Sequence, residues 1–157
     1  MVMAMVITGV GSLIHVFSVG YMKEDPGYPR YFAYLNLFVF FMLILVLGAS
    51  YPMLFVGWEG VGLCSYLLIG FYFDKTYAAE AGKKAFITNR IGDFGFMIGI
   101  FLIFMIFGTV DYDTLMGMVR GISSQPVITL FGHSASPTWW FNLIGICLFV
   151  GAMGKSA

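Results

Sequence analysis

Apolar residues dominate long stretches of the chain with no recurring polar face of the kind a helix in water shows. Five such stretches predict membrane-spanning helices, at about residues 1–21, 31–50, 51–73, 84–107 and 139–157. Each comes near the roughly 20 residues that a bilayer's hydrocarbon layer asks of a helix. Turn chemistry and charge separate them. "MKEDPGYPR" places Pro26-Gly27 after the first span, Pro52 marks a tight break after the second, and "DKTYAAEAGK" reads as a polar loop before the fourth. The longest connection, Gly108 to Thr138, is rich in Gly, Ser and Pro. Within it "DTLMGMVR" predicts a short interfacial helix over 113–120, with Leu115, Met116 and Val119 on one face and Asp113 as its cap. Trp139-Trp140 reads as an aromatic belt where the fifth span enters the membrane. The expected fold is all-α: one polytopic transmembrane bundle over residues 1–157.

Composition agrees with this pattern. Hydrophobic residues make up 60% of the 157 positions and charged residues 10%, against about 25% charged in a typical soluble domain. The formal charge is zero, so nothing points to nucleic acid. Cys64 and Cys147 each lie in an apolar run, without CxxC spacing or clustered His, and read as small hydrophobes. No basic leader with a cleavage site opens the sequence, and "FVGAMGKSA" closes it inside an apolar segment, as a fragment would. The loop charges carry an orientation. Lys23, Arg30, Lys75, Lys83 and Lys84 flank the first and third connections, whereas the second and fourth carry Arg120 beside Asp111 and Asp113. The positive-inside rule turns the first and third toward the cytoplasm or matrix.

Apart from the loop charges, four charged residues remain inside the spans: Glu59, Arg90, Asp93 and Lys155. Each costs roughly 2.5–3.5 kcal/mol at the centre of a lipid-facing helix, so all four are expected to point into the bundle. Counted along the spans, Glu59, Asp93 and Lys155 fall about 12, 17 and 22 Å from the outer surface, one central layer. A cation at that depth, Lys155 or Arg90, would hold Glu59 as a carboxylate. A lysine keeps its proton beside a carboxylate and tends to lose it when desolvated alone, so Glu59 with Lys155 forms a candidate proton switch. Arg90 stays protonated and does not switch. The plainer alternative is a set of static pairs that lock helices together, and Arg90 with Asp93, three apart, fits it equally well. His15 in "SLIHVFSVGYM" would extend a proton path, although a histidine satisfied by one hydrogen bond is the simpler account. His133 falls in the outer loop and is expected to be solvated. Gly95-x-x-x-Gly99 fits close helix packing.

Two nucleotide-like strings fail on spacing. "GAMGKS" has Phe149 where a phosphate-binding loop needs glycine, and "GWEGVG" lacks the G-x-G-x-x-G order. No redox or nucleotide site is expected on this chain.

The strings "FVGWEGVGLCSYLLIGFYF", "KKAFITNRIGDFGF", "DPGYPRYFAYLNLF" and the terminal "GAMGKSA" resemble the antiporter-like membrane subunit family of respiratory complex I, chain 5 or subunit L of NADH:quinone oxidoreductase. The likeness covers nearly the whole chain and weakens from Gly117 to Thr138. It implies an antiporter-like fold of two inverted five-helix repeats, of which this chain holds the end of the third helix through the first half of the seventh. It also implies that Glu59 and Lys155 are the family's Lys–Glu pair, and that Arg90 and Asp93 are a sixth-helix pair associated with coupling. NADH, FMN, iron–sulfur clusters and quinone would then sit on partner subunits, leaving proton translocation to this chain in a bacterial plasma membrane or mitochondrial inner membrane. Its partners would be other membrane subunits, the bilayer and the transported proton. Multi-subunit cation/proton antiporters share much of the pattern and form the rival reading. A structural membrane scaffold is the third.

Overall fold

The computed structural model describes residues 1–156, so Ala157, the expected last residue of the fifth span, lies outside the described residues. Six helices and one hairpin follow in order: α1 (Val2–Tyr21), α2 (Tyr28–Leu47), α3 (Tyr51–Ile69), α4 (Thr76–Phe107), α5 (Tyr112–Ser123), β1 (Ile128–Leu130), β2 (His133–Ala135) and α6 (Pro137–Ser156). All but α5 are long and apolar enough to cross a membrane. They form two compact units, residues 1–48 with 53–87 and residues 49–52 with 88 onward.

Several element ends differ from the sequence expectation for identifiable reasons. Helix α2 starts at Tyr28 because Pro29 sits in its first turn, where its missing N–H costs nothing. It ends at Leu47 because Gly48 turns extended. Helix α3 stops at Ile69, and Gly70 carries the chain out so that the apolar Phe71, Tyr72 and Phe73 form a turn. The stretch from Thr76, expected as loop, is helical. Its alanines favour helix, and polarity keeps a segment out of hydrocarbon without keeping it out of a helix. Helix α4 has 32 residues, about 48 Å of axis against a hydrocarbon layer of about 30 Å.

In the first unit α1 packs along α2, where the buried Ser18 hydroxyl meets the Tyr31 hydroxyl at 3.4 Å. Helix α3 seats on α2 through two glycines. A Cβ on Gly57 would lie 2.5 Å from the Leu45 backbone nitrogen, and one on Gly60 would overlap the Phe41 ring. Small residues allow this approach, as helix contacts in lipid generally require. At the charged end, Asp25 ties the α1–α2 connection to the α3–α4 connection. Its Oδ2 accepts from the Tyr72 hydroxyl at 2.9 Å, and its Oδ1 accepts from the Gly27 N–H at 2.7 Å.

In the second unit α4 and α6 run antiparallel along a stripe of small residues. Gly99 faces Leu148, Gly95 faces Val150, and Gly92 faces Gly154. At the opposite end from Gly92, Leu102, Ile103, Phe107, Leu115, Trp140 and Ile144 make a continuous apolar cluster. Helix α5 lies on that cluster through Leu115, Val119 and Ile122. Met116, expected on the same face, is 71% exposed. The spacing i, i+4, i+7 defines the buried stripe, and Met116 is a hundred degrees off it. The cap is Asp111 rather than Asp113: its Oδ2 accepts from the Thr114 N–H at 3.2 Å and the Thr114 hydroxyl at 3.0 Å.

The hairpin is a further departure from the expected irregular loop. Its strands pair antiparallel, with Leu130 opposite His133 and a two-residue turn at Phe131-Gly132, both at positive φ. Glycine tolerates that conformation without strain, and mirror-image turns of this kind suit the twist of a hairpin. Trp140 holds the hairpin down, its Nε1–H donating to the Ile128 carbonyl at 3.0 Å. Trp140 is therefore packed inside, and Trp139 alone of the pair is exposed as a belt residue would be.

Candidate functional site

Glu59 lies in the first unit, residues 51 to 59 placing it about 12 Å along α3. The glycines on either side, Gly57 and Gly60, hold that part of α3 against α2. Glu59 sits on the flank of that contact and is half-buried.

Arg90, Asp93 and Lys155 belong to the second unit. Asp93 is 4% exposed, on the side of α4 that carries Asn89, Gly92 and Phe96, all buried. Arg90 is exposed, on the side that carries Ile87, Ile91 and Phe94. The expectation that all four ionisable groups point inward therefore fails for Arg90 within this chain. Three residues turn a helix by 300°, so the pair stands about 60° apart, astride the boundary between packed and open faces. None of Glu59, Arg90, Asp93 and Lys155 is without a partner.

The glycine stripe fixes the level of Lys155. A Cβ on Gly154 would lie 2.8 Å from the Gly92 Cα and 3.4 Å from the Thr88 carbonyl oxygen. Lys155, the next residue and half-buried, is thereby set at the height of Thr88 to Asp93. Arg90, Asp93 and Lys155 share one layer of the α4–α6 pair, although Asp93 is about 21 Å from Phe107 and Lys155 about 27 Å from Pro137 along their helices. Helix α6 simply begins farther out. A buried carboxylate and an amine at one level of an apolar helix pair are the materials of a proton-linked charge change.

The family described as NADH:quinone oxidoreductase/Mrp antiporter, TM, matches residues 48–157. The chain belongs to that membrane family. The description NADH-Ubiquinone oxidoreductase (complex I), chain 5 N-terminus, matches residues 1–32. The NADH-quinone oxidoreductase subunit L of Mycobacterium tuberculosis is 49% identical over 100% of this chain and 23% of its own length. The NADH-ubiquinone oxidoreductase chain 5 of Chondrus crispus is 47% identical over 99% of this chain and 23% of its own, and that of Marchantia polymorpha 46% over 99% and 23%. The chain spans about a quarter of the length of the curated relatives it matches. As an antiporter-like membrane domain, it has the helical transmembrane fold expected from its sequence, with the β1–β2 hairpin as the one addition among the described residues.

Within this domain several residues outside the sequence-stated candidates contribute. Asn89 is a buried polar residue one turn from Asp93, and Gly151 and Gly154 form the α6 side of the glycine contact. The signal for the glycines was their spacing, and Asn89 gave none beyond its place in "NRIGD". His15 donates from Nδ1–H to the Gly11 carbonyl at 2.7 Å, whereas its Nε2 is buried with no hydrogen-bond partner among the described residues. His133 is exposed in β2, Cys64 is fully buried in α3, and Cys147 is half-buried against Gly95 and Gly99.

Proposed function

We propose that this chain is part of a proton-translocating membrane subunit of an NADH:quinone oxidoreductase, with Glu59 and Lys155 as its working pair. The observation that carries this is the 49% identity to a subunit L along the chain's whole length. That stretch includes all four intramembrane charges. On this reading NADH oxidation and quinone reduction belong to partner subunits, and this chain moves protons in response. Lys155 is the group that changes charge: a lysine amine exchanges its proton when its electrostatic surroundings change, and a guanidinium does not. The charge on Glu59 sets whether Lys155 keeps its proton. Asp93, in the same layer of α4–α6 as Lys155, biases that choice, and Arg90 relays charge to whatever covers the open face of α4.

The test uses the full-length protein in its assembled complex. Glu59→Gln and Lys155→Ala should each lower the rate of proton translocation driven by quinone reduction by tenfold or more, about 1.4 kcal/mol or above in activation free energy, with assembly intact. Normal pumping in both variants would end the reading. A second reading draws on the antiporter half of the family description for residues 48–157. It predicts cation/proton exchange in vesicles with no NADH present, and that assay separates the two.

A further inference from the structure

At the charged end of the first unit, α2, α3 and α4 enclose a cavity of about 170 Å³. Arg30 and Lys83 line it from two sides, Tyr34 and Tyr66 from deeper along their helices, and Phe71 and Phe73 from the connection between α3 and α4. We infer that this cavity binds the phosphodiester headgroup of an anionic phospholipid of the inner leaflet.

The chemistry starts with Arg30. Its guanidinium carbon lies 4.8 Å from the centroids of both the Phe71 and Phe73 rings, a cation held between two aromatic faces. It donates from one terminal nitrogen to the Phe71 carbonyl at 3.3 Å, and its Nε is buried with no hydrogen-bond partner. Five N–H donors with one such bond leave a planar cation with hydrogen bonds to give. Lys83 adds a second positive charge on the cavity's rim, exposed on α4. Among the described residues no carboxylate lines the cavity, and Asp25, in the α1–α2 connection, has both oxygens engaged by Gly27 and Tyr72. Two cations on its wall favour an anion, and a phosphate oxygen pair suits the planar guanidinium best.

Position selects a lipid as the source of that anion. Arg30 is in the first turn of a helix of membrane length, and Lys83 stands just ahead of the part of α4 expected to cross the membrane, from about residue 84. Both therefore lie at headgroup height on the side that carries the excess of Lys and Arg. Tyrosines one turn inward are the side chains that favour the boundary between headgroups and hydrocarbon. Basic pockets between membrane helices on this side recognise anionic headgroups.

The experiment takes the full-length protein into phosphatidylcholine bilayers with and without phosphatidylglycerol and reads lipid retained after mild detergent extraction by native mass spectrometry. Retention of phosphatidylglycerol over phosphatidylcholine is expected, lowered about fivefold by Lys83→Gln and restored by Lys83→Arg, the effect of one basic residue at an anionic surface. Arg30→Gln should lower it at least as far. Because Arg30 also ties α2 to the α3–α4 connection, the exposed Lys83 keeps the test independent of folding. Equal retention of both lipids, or unchanged retention in Lys83→Gln, overturns the assignment. Displacement of the lipid by inorganic phosphate at similar concentration would assign the cavity to a free anion instead. Loss of a partner subunit from the variants with lipid retention unchanged would give it to an acidic protein surface.

Discussion

Asp25 sits in the connection between two membrane-length helices, and both of its carboxylate oxygens are engaged, one by the Gly27 N–H and one by the Tyr72 hydroxyl. The Tyr72 phenol is raised above its ordinary value, first because it donates to Asp25 and then through partial burial and the Asp25 and Tyr21 charges. A folded value above the unfolded one means that the strap stabilises fully below the usual tyrosine range, near 10, and loses its contribution as pH climbs through the raised value. A spectrophotometric titration of phenolate in the full-length protein, wild type minus Tyr72→Phe, should therefore have its midpoint above 10. Asp25→Asn should bring it back toward the ordinary value. A midpoint at or below the usual value would remove the strap. From sequence alone Asp25 was one loop charge among several, since its partner lies forty-seven positions away. The intramembrane charges divide in the same way. Their presence in apolar runs was legible, but the side each faces depends on neighbours, and a helix apolar all round does not announce which side is packed. Asp93 faces in and Arg90 out for that reason.

At the scale of elements, the contact between α4 and α6 depends on glycine on both sides. A methyl at Gly154 would meet backbone, the Gly92 Cα at 2.8 Å, and backbone cannot swing away as a side chain can. Gly145, on the same helix, has nothing within 4 Å of where a Cβ would be. Gly154→Ala should lower the stability of the full-length protein by about 1–3 kcal/mol, the usual cost of overpacking, whereas Gly145→Ala should cost nothing. Thermal unfolding in one detergent measures both, and equal behaviour would mean that the helices part without penalty. Glycine spacing on α4 was readable as a packing face. Its mate on α6 was read as part of a terminal motif, because "GAMGKS" invites attention to its lysine. The other missed element, the hairpin, had a signal in "VITLFGHSA", β-branched residues followed by a residue-Gly turn. Between long apolar helices, three-residue strands fall below what periodicity resolves.

At the scale of the whole molecule, two independent observations sort the four connections between the membrane-length helices into the same pairs. Charge places the α1–α2 and α3–α4 connections together, since both carry lysines. Bonding does likewise in the first unit, through Asp25 and Tyr72, which two helices separate in sequence. In the second unit the Ser50–Asp111 bridge, with Tyr112 N–H donating to the Ala49 carbonyl at 3.1 Å, joins the connection before α3 to the one after α4. Two crossings return a chain to the side it left, so each bond is what a serpentine path through a bilayer requires. Glu24 and His133 are separated by three membrane-length helices, an odd number, so a chain that crosses with each of them is expected to expose the two residues on opposite sides. Both are exposed, and the test is made with Cys64 and the half-buried Cys147 replaced by Ser so that neither contributes background. In sealed membrane vesicles holding the full-length protein, an impermeant maleimide should label Glu24→Cys from the cytoplasmic or matrix side and His133→Cys from the other. Labelling of both from one face would break the parity, and with it the assignment of α2, α3 and α4 as three separate crossings on which the placement of Glu59 and Lys155 inside the membrane depends.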